Sequence, residues 1–268
     1  MKNIRIKTTD NMNLSAIIEE SKDSDKIVIM CHGIRGQKFE RGVFPDLAEE
    51  LLKKGISSIR FDFRGHGESD GIDLDVTITK QKEDVESIIK YVTDLGYKQI
   101  VLEASSFATA AVSLIDYSKY DIIKAVVIWY GCPDLEVVKK GNLFSLENKK
   151  IAEENGFFVS KSVSTGKEFR FGKELFEEVY NIKPFENLSK IDLPIIFVHG
   201  LLDEVVPYES IVRAHKLCKN AELELIENGN HNFDNNKEAE MKSIEKIINF
   251  VDNIFIMNKS RWLDENKI

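Results

Sequence analysis

The sequence predicts an α/β protein built on a mostly parallel, doubly wound central sheet. Three observations lead there. Short runs that are apolar at nearly every position, such as Lys26–Cys31 and Lys124–Tyr130, suit strands buried on both faces of a parallel sheet. Between such runs lie longer stretches with apolar residues at helical spacing, as in 44–54 and 77–95. Parallel strands require crossovers of this kind, because a tight turn joins only antiparallel neighbours.

Taken in order, residues 4–8 and 13–19 alternate in polarity, and Asp10-Asn11 supplies turn chemistry for an opening hairpin. The strand Lys26–Cys31 ends in His32-Gly33-Ile34-Arg35-Gly36. A helix over 44–54 follows, closed by Gly55. The strand Ile56–Phe63 runs into the turn-rich Arg64–Gly71. Residues 77–95 form an amphipathic helix with Val85, Ile88, Ile89 and Val92 on one side, and Gly96 ends it. A strand over Lys98–Glu103 leads to a helix over 107–116. Further strands are expected at Lys124–Tyr130, Leu193–Val198 and Glu222–Ile226, with helices at 208–218 and 238–256. The last of these turns Ile244, Ile247, Ile248 and Val251 inward.

One segment breaks the rhythm. Between Pro133 and Leu193 the chain looks helical and looped, and it carries Phe144, Phe157, Phe158, Phe169, Phe171, Phe176 and Phe185. Such a length is too great for a plain connection. We read 135–188 as a cap inserted over the carboxyl ends of the strands, with 1–134 and 189–268 forming one core. A peripheral packing insert is the alternative reading.

Composition narrows the function classes. A chain of 268 residues can bury one large core, or a core and a small accessory domain. Its net charge of −8 argues against nucleic-acid binding, which needs a basic face. Cys31, Cys132 and Cys218 are scattered, without metal spacing, and fit reduced thiols in a cytoplasmic protein. The first residues read as an alternating strand rather than a signal peptide, and no apolar run is long enough to span a membrane. No metal cluster or phosphate-cradling loop stands out, so no cofactor is expected. The expected partner is a small-molecule substrate, and a homodimer stays open.

The chemistry gathers where an open α/β sheet places it, at the carboxyl ends of the strands. Ile100–Ala111 passes from strand character to small, helix-permissive residues with a serine at the junction. That is the layout of a nucleophile elbow. Centring on Ser106 puts Ala104 and Ala108 on the flanks, whereas Ser105 would be flanked by Glu103 and Phe107. Strand and helix backbones pass close together there, so the small flanks favour Ser106. A Ser-Ser pair before a helix can also be an N-cap. Asp203 follows a later strand in His199-Gly200-Leu201-Leu202-Asp203, and His231 follows the last strand in Asn228-Gly229-Asn230-His231. The order is serine, acid, histidine. Asp134, after an earlier strand, is a rival acid.

These strings resemble the α/β-hydrolase superfamily. The resemblance is to its branch of serine-aminopeptidase-like hydrolases, monoacylglycerol lipases and bacterial cinnamoyl or feruloyl esterases. It rests on His32-Gly33, on Asp62-Phe63-Arg64-Gly65-His66-Gly67-Glu68-Ser69, on His199-Gly200 with Asp203 and Val206-Pro207, and on Gly229-Asn230-His231. It runs through nearly the whole chain and is loose only over 135–188. The chain departs from the pattern at the elbow, where Ala104 and Ala108 replace glycines, and at Asn230.

The resemblance implies an α/β-hydrolase fold and a Ser106–His231–Asp203 triad. His231 would take the serine proton and return it to the leaving group, and Asp203 would hold the imidazole in the right tautomer. The backbone N–H groups of Ile34 and Phe107 would face the oxyanion. His32, Gly33, Cys132, Phe157 and Phe158 are the substrate-binding candidates, although Cys132 also reads as a small buried residue. Glu103 reads either as a partnered buried acid or as a residue lining the site. Arg64 and His66 read as braces of their loop.

The expected activity is hydrolysis of a carboxylic ester through an acyl-enzyme. Cinnamoyl, feruloyl and short acyl esters are favoured by the resemblance and by the Phe-rich insert. An amidase or aminopeptidase, a thioesterase or a monoacylglycerol lipase would use the same triad. A non-catalytic ligand binder is a further alternative, suggested only by the glycine-free elbow.

Overall fold

The opening hairpin forms where the alternation places it. Strands β1 (Lys2–Lys7) and β2 (Asn13–Glu19) pair antiparallel, and Asn11 takes a φ of 70°, which asparagine tolerates in a turn. The computed structural model describes residues 1–141, 143–161 and 167–265, with side chains as far as 257. Positions 142 and 162–166 of the expected cap, and the last three of the core segment, lie outside the described residues.

Next come β3 (Lys26–Cys31), α1 (Val43–Lys53), β4 (Ser57–Phe61), α2 (Ile78–Asp94), β5 (Gln99–Ser105), α3 (Ala108–Ser113) and β6 (Ile123–Trp129). The Thr77 side chain caps α2 by accepting from the Lys80 N–H, and Gly96 follows with a φ of 98°, a left-handed turn that glycine adopts freely. Helix α3 is shorter than the expected 107–116. The Ser113 and Tyr117 hydroxyls donate to the Ala110 and Val112 carbonyls and so satisfy its last turn without further helix.

The segment after β6 folds into α4 (Leu135–Lys140), α5 (Leu146–Asn155), a hairpin of β7 (Phe157–Lys161) and β8 (Glu168–Gly172), then α6 (Lys173–Asn181) and α7 (Pro184–Leu188). Helices and loops were expected here, and the hairpin was not. Its strands are five residues each, too short for alternation to stand out against the surrounding helical sequence. The core then resumes with β9 (Ile195–Gly200), α8 (Tyr208–Leu217), β10 (Ala221–Ile226) and α9 (Lys237–Glu265).

The main sheet has eight strands in the order β1-β2-β4-β3-β5-β6-β9-β10. The first hairpin joins antiparallel through β2 and β4, and every other neighbour pairs parallel. Alternate side chains of the central strands serve opposite layers. Ile100, Leu102 and Ala104 meet α2, α3 and α8, while Val101 meets the layer of α1 and α9. Fully burying one such aliphatic side chain contributes about 1.5–3 kcal/mol, which is why both faces read as apolar. Between β6 and β9 the insert has a core of its own, in which Phe144, Phe171 and Phe176 pack against Phe107 and Ala110 at the start of α3. Arg170 of β8 clasps Asp73 of the core through its guanidinium and its backbone N–H. No helix among the described residues is long and apolar enough to cross a membrane.

Candidate active site

β5 lies between β3 and β6, with Ala104 opposite Cys31 on one side and Ile128 on the other. The chain leaves the sheet at Ser106, whose φ is 51°. A non-glycine residue in that region stores roughly 1–3 kcal/mol and persists only where its surroundings hold it. Here the Ser106 N–H donates to the Trp129 carbonyl at 3.2 Å, and its carbonyl accepts from the Cys132 N–H at 3.0 Å and the Thr109 hydroxyl at 2.7 Å. The alanines on either side are fully buried, so nothing larger would fit. Ser105 points the other way, buried, and donates to Glu103 Oε1 at 2.5 Å. Ser106 alone of the pair faces the cleft.

Loops after β9 and β10 carry Asp203 and His231. They are fastened together, since the Leu202 N–H donates to the Gly229 carbonyl at 2.9 Å and the Leu201 N–H to the Ile226 carbonyl at 3.0 Å. Asp203 Oδ2 lies 2.8 Å from His231 Nδ1, and His231 Nε2 lies 3.0 Å from Ser106 Oγ. A carboxylate only accepts, so Nδ1 carries the imidazole proton and Nε2 is free to accept from the serine hydroxyl. The other Asp203 oxygen accepts the Val205 and Val206 N–H groups at 2.9 and 2.8 Å. Burial alone would raise this carboxyl, but hydrogen bonds from His199 and His231 outweigh it and hold Asp203 well below the usual carboxylate range. The rival Asp134 caps α4 and pairs with Arg213, away from the histidine.

The loop after β3 closes over the serine. A Cβ added to Gly33 would stand 2.9 Å from Ser106 Cβ, a separation that real side chains essentially never show. Only glycine lets the backbone come this near. Ile34, next in the chain, and Phe107, next after the serine, both line the cleft. Among the described residues neither N–H is spent on a backbone or side-chain acceptor. Phe107 is also held from the insert, its ring stacked on Phe144 at 5.7 Å and 11°.

The cleft holds about 1050 Å³, at the upper limit of clefts that take a drug-sized ligand. Of the substrate-binding candidates, Gly33 and Cys132 line it. Burial pushes the Cys132 thiol up to about 12, which leaves it protonated and inert. His32 does not reach the cleft. It is fully buried, accepts the Phe63 N–H on Nε2 at 3.0 Å, and donates from Nδ1 to the Gly33 carbonyl at 2.7 Å. Phe157 and Phe158 stand away as well, the first beneath the Arg170 guanidinium and the second edge-on to Phe176. Phe169 lines the cleft instead, half-buried, and the fully buried Phe144 borders it from the core it shares with Phe171.

Glu103 is a partnered acid and does not line the cleft. It is fully buried, its carboxyl raised by burial, and it accepts the Ser105 hydroxyl and the Cys31 N–H. The string from Asp62 to Ser69 is a brace. Asp62 accepts the Lys38 N–H and ammonium, both at 2.7 Å, and Arg64 grips Asp84 and Asp10. Sequence reasoning missed Lys38 and Glu40 as parts of this scaffold. Both are charged residues in a loop, where solvation is the ordinary state, yet their exposures are 3% and 5%.

The serine aminopeptidase S33 family model matches residues 22–129, and the prolyl oligopeptidase family model matches residues 148–257. The chain is 24% identical over 235 residues to a 31.7 kDa protein of Escherichia coli, covering 76% of this chain and 81% of that one. It is 25% identical over 210 residues to the mitochondrial palmitoyl-protein thioesterase ABHD10 of Bos taurus, covering 77% and 66%. Among solved structures, Est1E of Butyrivibrio proteoclasticus with bound ferulic acid superposes with a TM-score of 0.77 at 25% identity, covering 96% and 99%.

Proposed function

Starting from a chain that belongs to the α/β-hydrolase superfamily, we propose a serine hydrolase that cleaves a carboxylic ester through an acyl-enzyme on Ser106. One observation carries the reading: the unbroken series Ser106 Oγ, His231 Nε2, His231 Nδ1 and Asp203 Oδ2, with successive contacts of 3.0 and 2.8 Å. A serine hydroxyl is a poor nucleophile until a base within hydrogen-bond reach takes its proton.

In the first step Ser106 Oγ attacks the acyl carbon while its proton passes to His231 Nε2. The imidazolium that forms is stabilised by Asp203. The carbonyl oxygen becomes an oxyanion against the N–H groups of Ile34 and Phe107. His231 then gives its proton to the departing alcohol oxygen, leaving the acyl group on the serine. Water repeats the sequence, with His231 taking the water's proton, and releases the acid.

The segment 135–188 acts as a cap in this reading, and Phe169, with the buried Phe144 bordering the cleft from the core, gives the acyl group an apolar, aromatic wall. Cinnamoyl and feruloyl esters and short acyl esters suit that wall, and the likeness to a structure holding ferulic acid supports them. A thioesterase is the second reading, favoured by the likeness to ABHD10.

The test is labelling by a fluorophosphonate probe, read by intact mass, followed by turnover of methyl ferulate, p-nitrophenyl acetate and an acyl-thioester. One adduct that vanishes in Ser106→Ala is expected, with turnover of the esters. Turnover confined to the thioester moves the assignment to the second reading, and no adduct with no turnover overturns both.

A further inference from the structure

We infer that Glu40 is a positioning residue, its buried carboxyl tying the loop that carries the Ile34 N–H to the turn that carries His231. The inference rests on the hydrolase reading above and gives that site a part which the triad does not contain.

One carboxyl oxygen makes the tie. Glu40 Oε1 accepts the Gly33 N–H at 3.4 Å and the Asn232 side-chain amide at 3.2 Å. Gly33 immediately precedes Ile34, and Asn232 immediately follows His231. The side chain therefore bridges the two halves of the catalytic face from 192 positions away in sequence. Oε2 is buried with no hydrogen-bond partner, packed so close under Gly36 that a Cβ there would collide with it. The backbone is bent to allow this. Glu40, Arg41 and Asn232 have φ values of 36°, 55° and 68°, all in the region that side chains usually avoid. Strain of that kind persists only where the surroundings over-determine it. The loop is pinned two residues earlier as well, at Lys38, whose N–H and ammonium both bind Asp62.

The tie also sets a charge condition. The groups facing the Glu40 carboxyl are Arg41 on its own turn, His32 beneath the loop, Glu103 of β5, Tyr130 after β6 and the His231 turn. Burial pushes Glu40 up to about 7, against the pull of its hydrogen bonds and of Arg41. Below that pH the carboxyl is neutral and still accepts through Oε1. Above it, a negative charge lies behind the N–H groups that must meet the oxyanion, and it opposes the charge that develops there.

The experiment compares wild type, Glu40→Gln and Glu40→Ala by pH profile, by kcat and KM, and by amide hydrogen exchange. Glutamine keeps an acceptor oxygen and cannot ionise. It should hold kcat within about threefold below neutral pH and lose the decline expected of the wild type above it. Alanine should lower kcat by ~10² with KM little changed, since a shift of about 1 Å in an aligned group costs that much. In Glu40→Ala, exchange should quicken together in residues 32–36 and 230–233. Full kcat in Glu40→Ala, or a Glu40→Gln profile that keeps the alkaline decline, overturns the proposal. If the wild type proves inactive, the hydrolase reading fails, and exchange alone decides the tie. Quickening in both segments supports it, and quickening in one or neither sinks it.

Discussion

Ser106 Oγ and His231 Nε2 meet at 3.0 Å although 125 positions separate the two residues in the chain. The contact exists because parallel pairing brings the ends of β5 and β10 to the same edge, and because Ser106 accepts a φ of 51° there. The strain and the proposed reactivity fall on one residue, so they can be separated by substitution. Ser106→Ala should abolish fluorophosphonate labelling and lower kcat/KM by at least ~10³. Ser106→Gly should be as inactive but gain about 1 kcal/mol in urea denaturation, because glycine enters the left-handed region without cost.

Asp203 offers a sharper test of the base. Its Oδ1 is occupied by two backbone N–H groups, which leaves Oδ2 alone to orient His231. In Asp203→Asn the side chain keeps its carbonyl oxygen toward those N–H groups and turns its amide toward Nδ1. The imidazole must then carry its proton on Nε2 and cannot accept from Ser106. A fall of about 10⁴ in kcat is expected, with the fold intact by circular dichroism.

Gly33 tests the closeness of the loop over the serine. In Gly33→Ala the new methyl group would sit 2.9 Å from Ser106 Cβ and 3.3 Å from Glu40 Oε1. Neither neighbour is the free end of a flexible chain, so the loop must lift. Turnover should drop by ~10² while the melting transition falls by the equivalent of about 1–3 kcal/mol.

What the sequence could and could not announce follows from the range of the signals. Apolar runs and helical spacing are local, so the sheet strands and the helices α1 and α2 were legible to within a few residues, whereas α9 runs to Glu265, nine residues past its expected end at 256. The elbow was legible because small flanks on a strand-to-helix junction are a local requirement. Lys38 and Glu40 were not, since their burial depends on Asp62 and Asn232, partners 24 and 192 positions away. The same limit misdirected attention to Phe157 and Phe158. A count of phenylalanines cannot tell which rings of the segment turn inward and which line the cleft, since Phe158, Phe169 and Phe171 share one face of the β7–β8 hairpin and only Phe169 of the three reaches the cleft.

Phe169 allows the wall of the cleft to be tested without emptying the core. It is half-buried, packed against His66 at 5.3 Å and Phe171 at 4.8 Å, whereas Phe144 is fully buried. Phe169→Ala should raise KM for methyl ferulate by about tenfold, the cost of roughly 1.4 kcal/mol of lost ring contact, and leave p-nitrophenyl acetate nearly unchanged. Phe144→Ala should instead cost about 3–5 kcal/mol of stability, because it opens a cavity beneath Phe107. Equal effects on both esters in Phe169→Ala would remove the aromatic wall from the substrate assignment.

Stability should depend on pH through Glu40 with a definite sign. Its carboxyl titrates near 7 in the folded chain, above the ordinary glutamate value of 4.5. Between those two values the folded state holds a proton that the unfolded chain has released. The stability linked to this group is therefore complete at the acid end and is lost as pH rises through about 7. Glu103, also raised by burial, pushes the same way, while Asp203, held low by its histidines, acts in the opposite sense at much lower pH. Urea denaturation at about pH 5 and about pH 8 should show the wild type losing up to roughly 3 kcal/mol through Glu40. Glu40→Gln removes that term and should flatten the profile by the same amount. A Glu40→Gln profile parallel to the wild type would mean that the carboxyl is already ionised at the acid end and that burial does not hold it neutral.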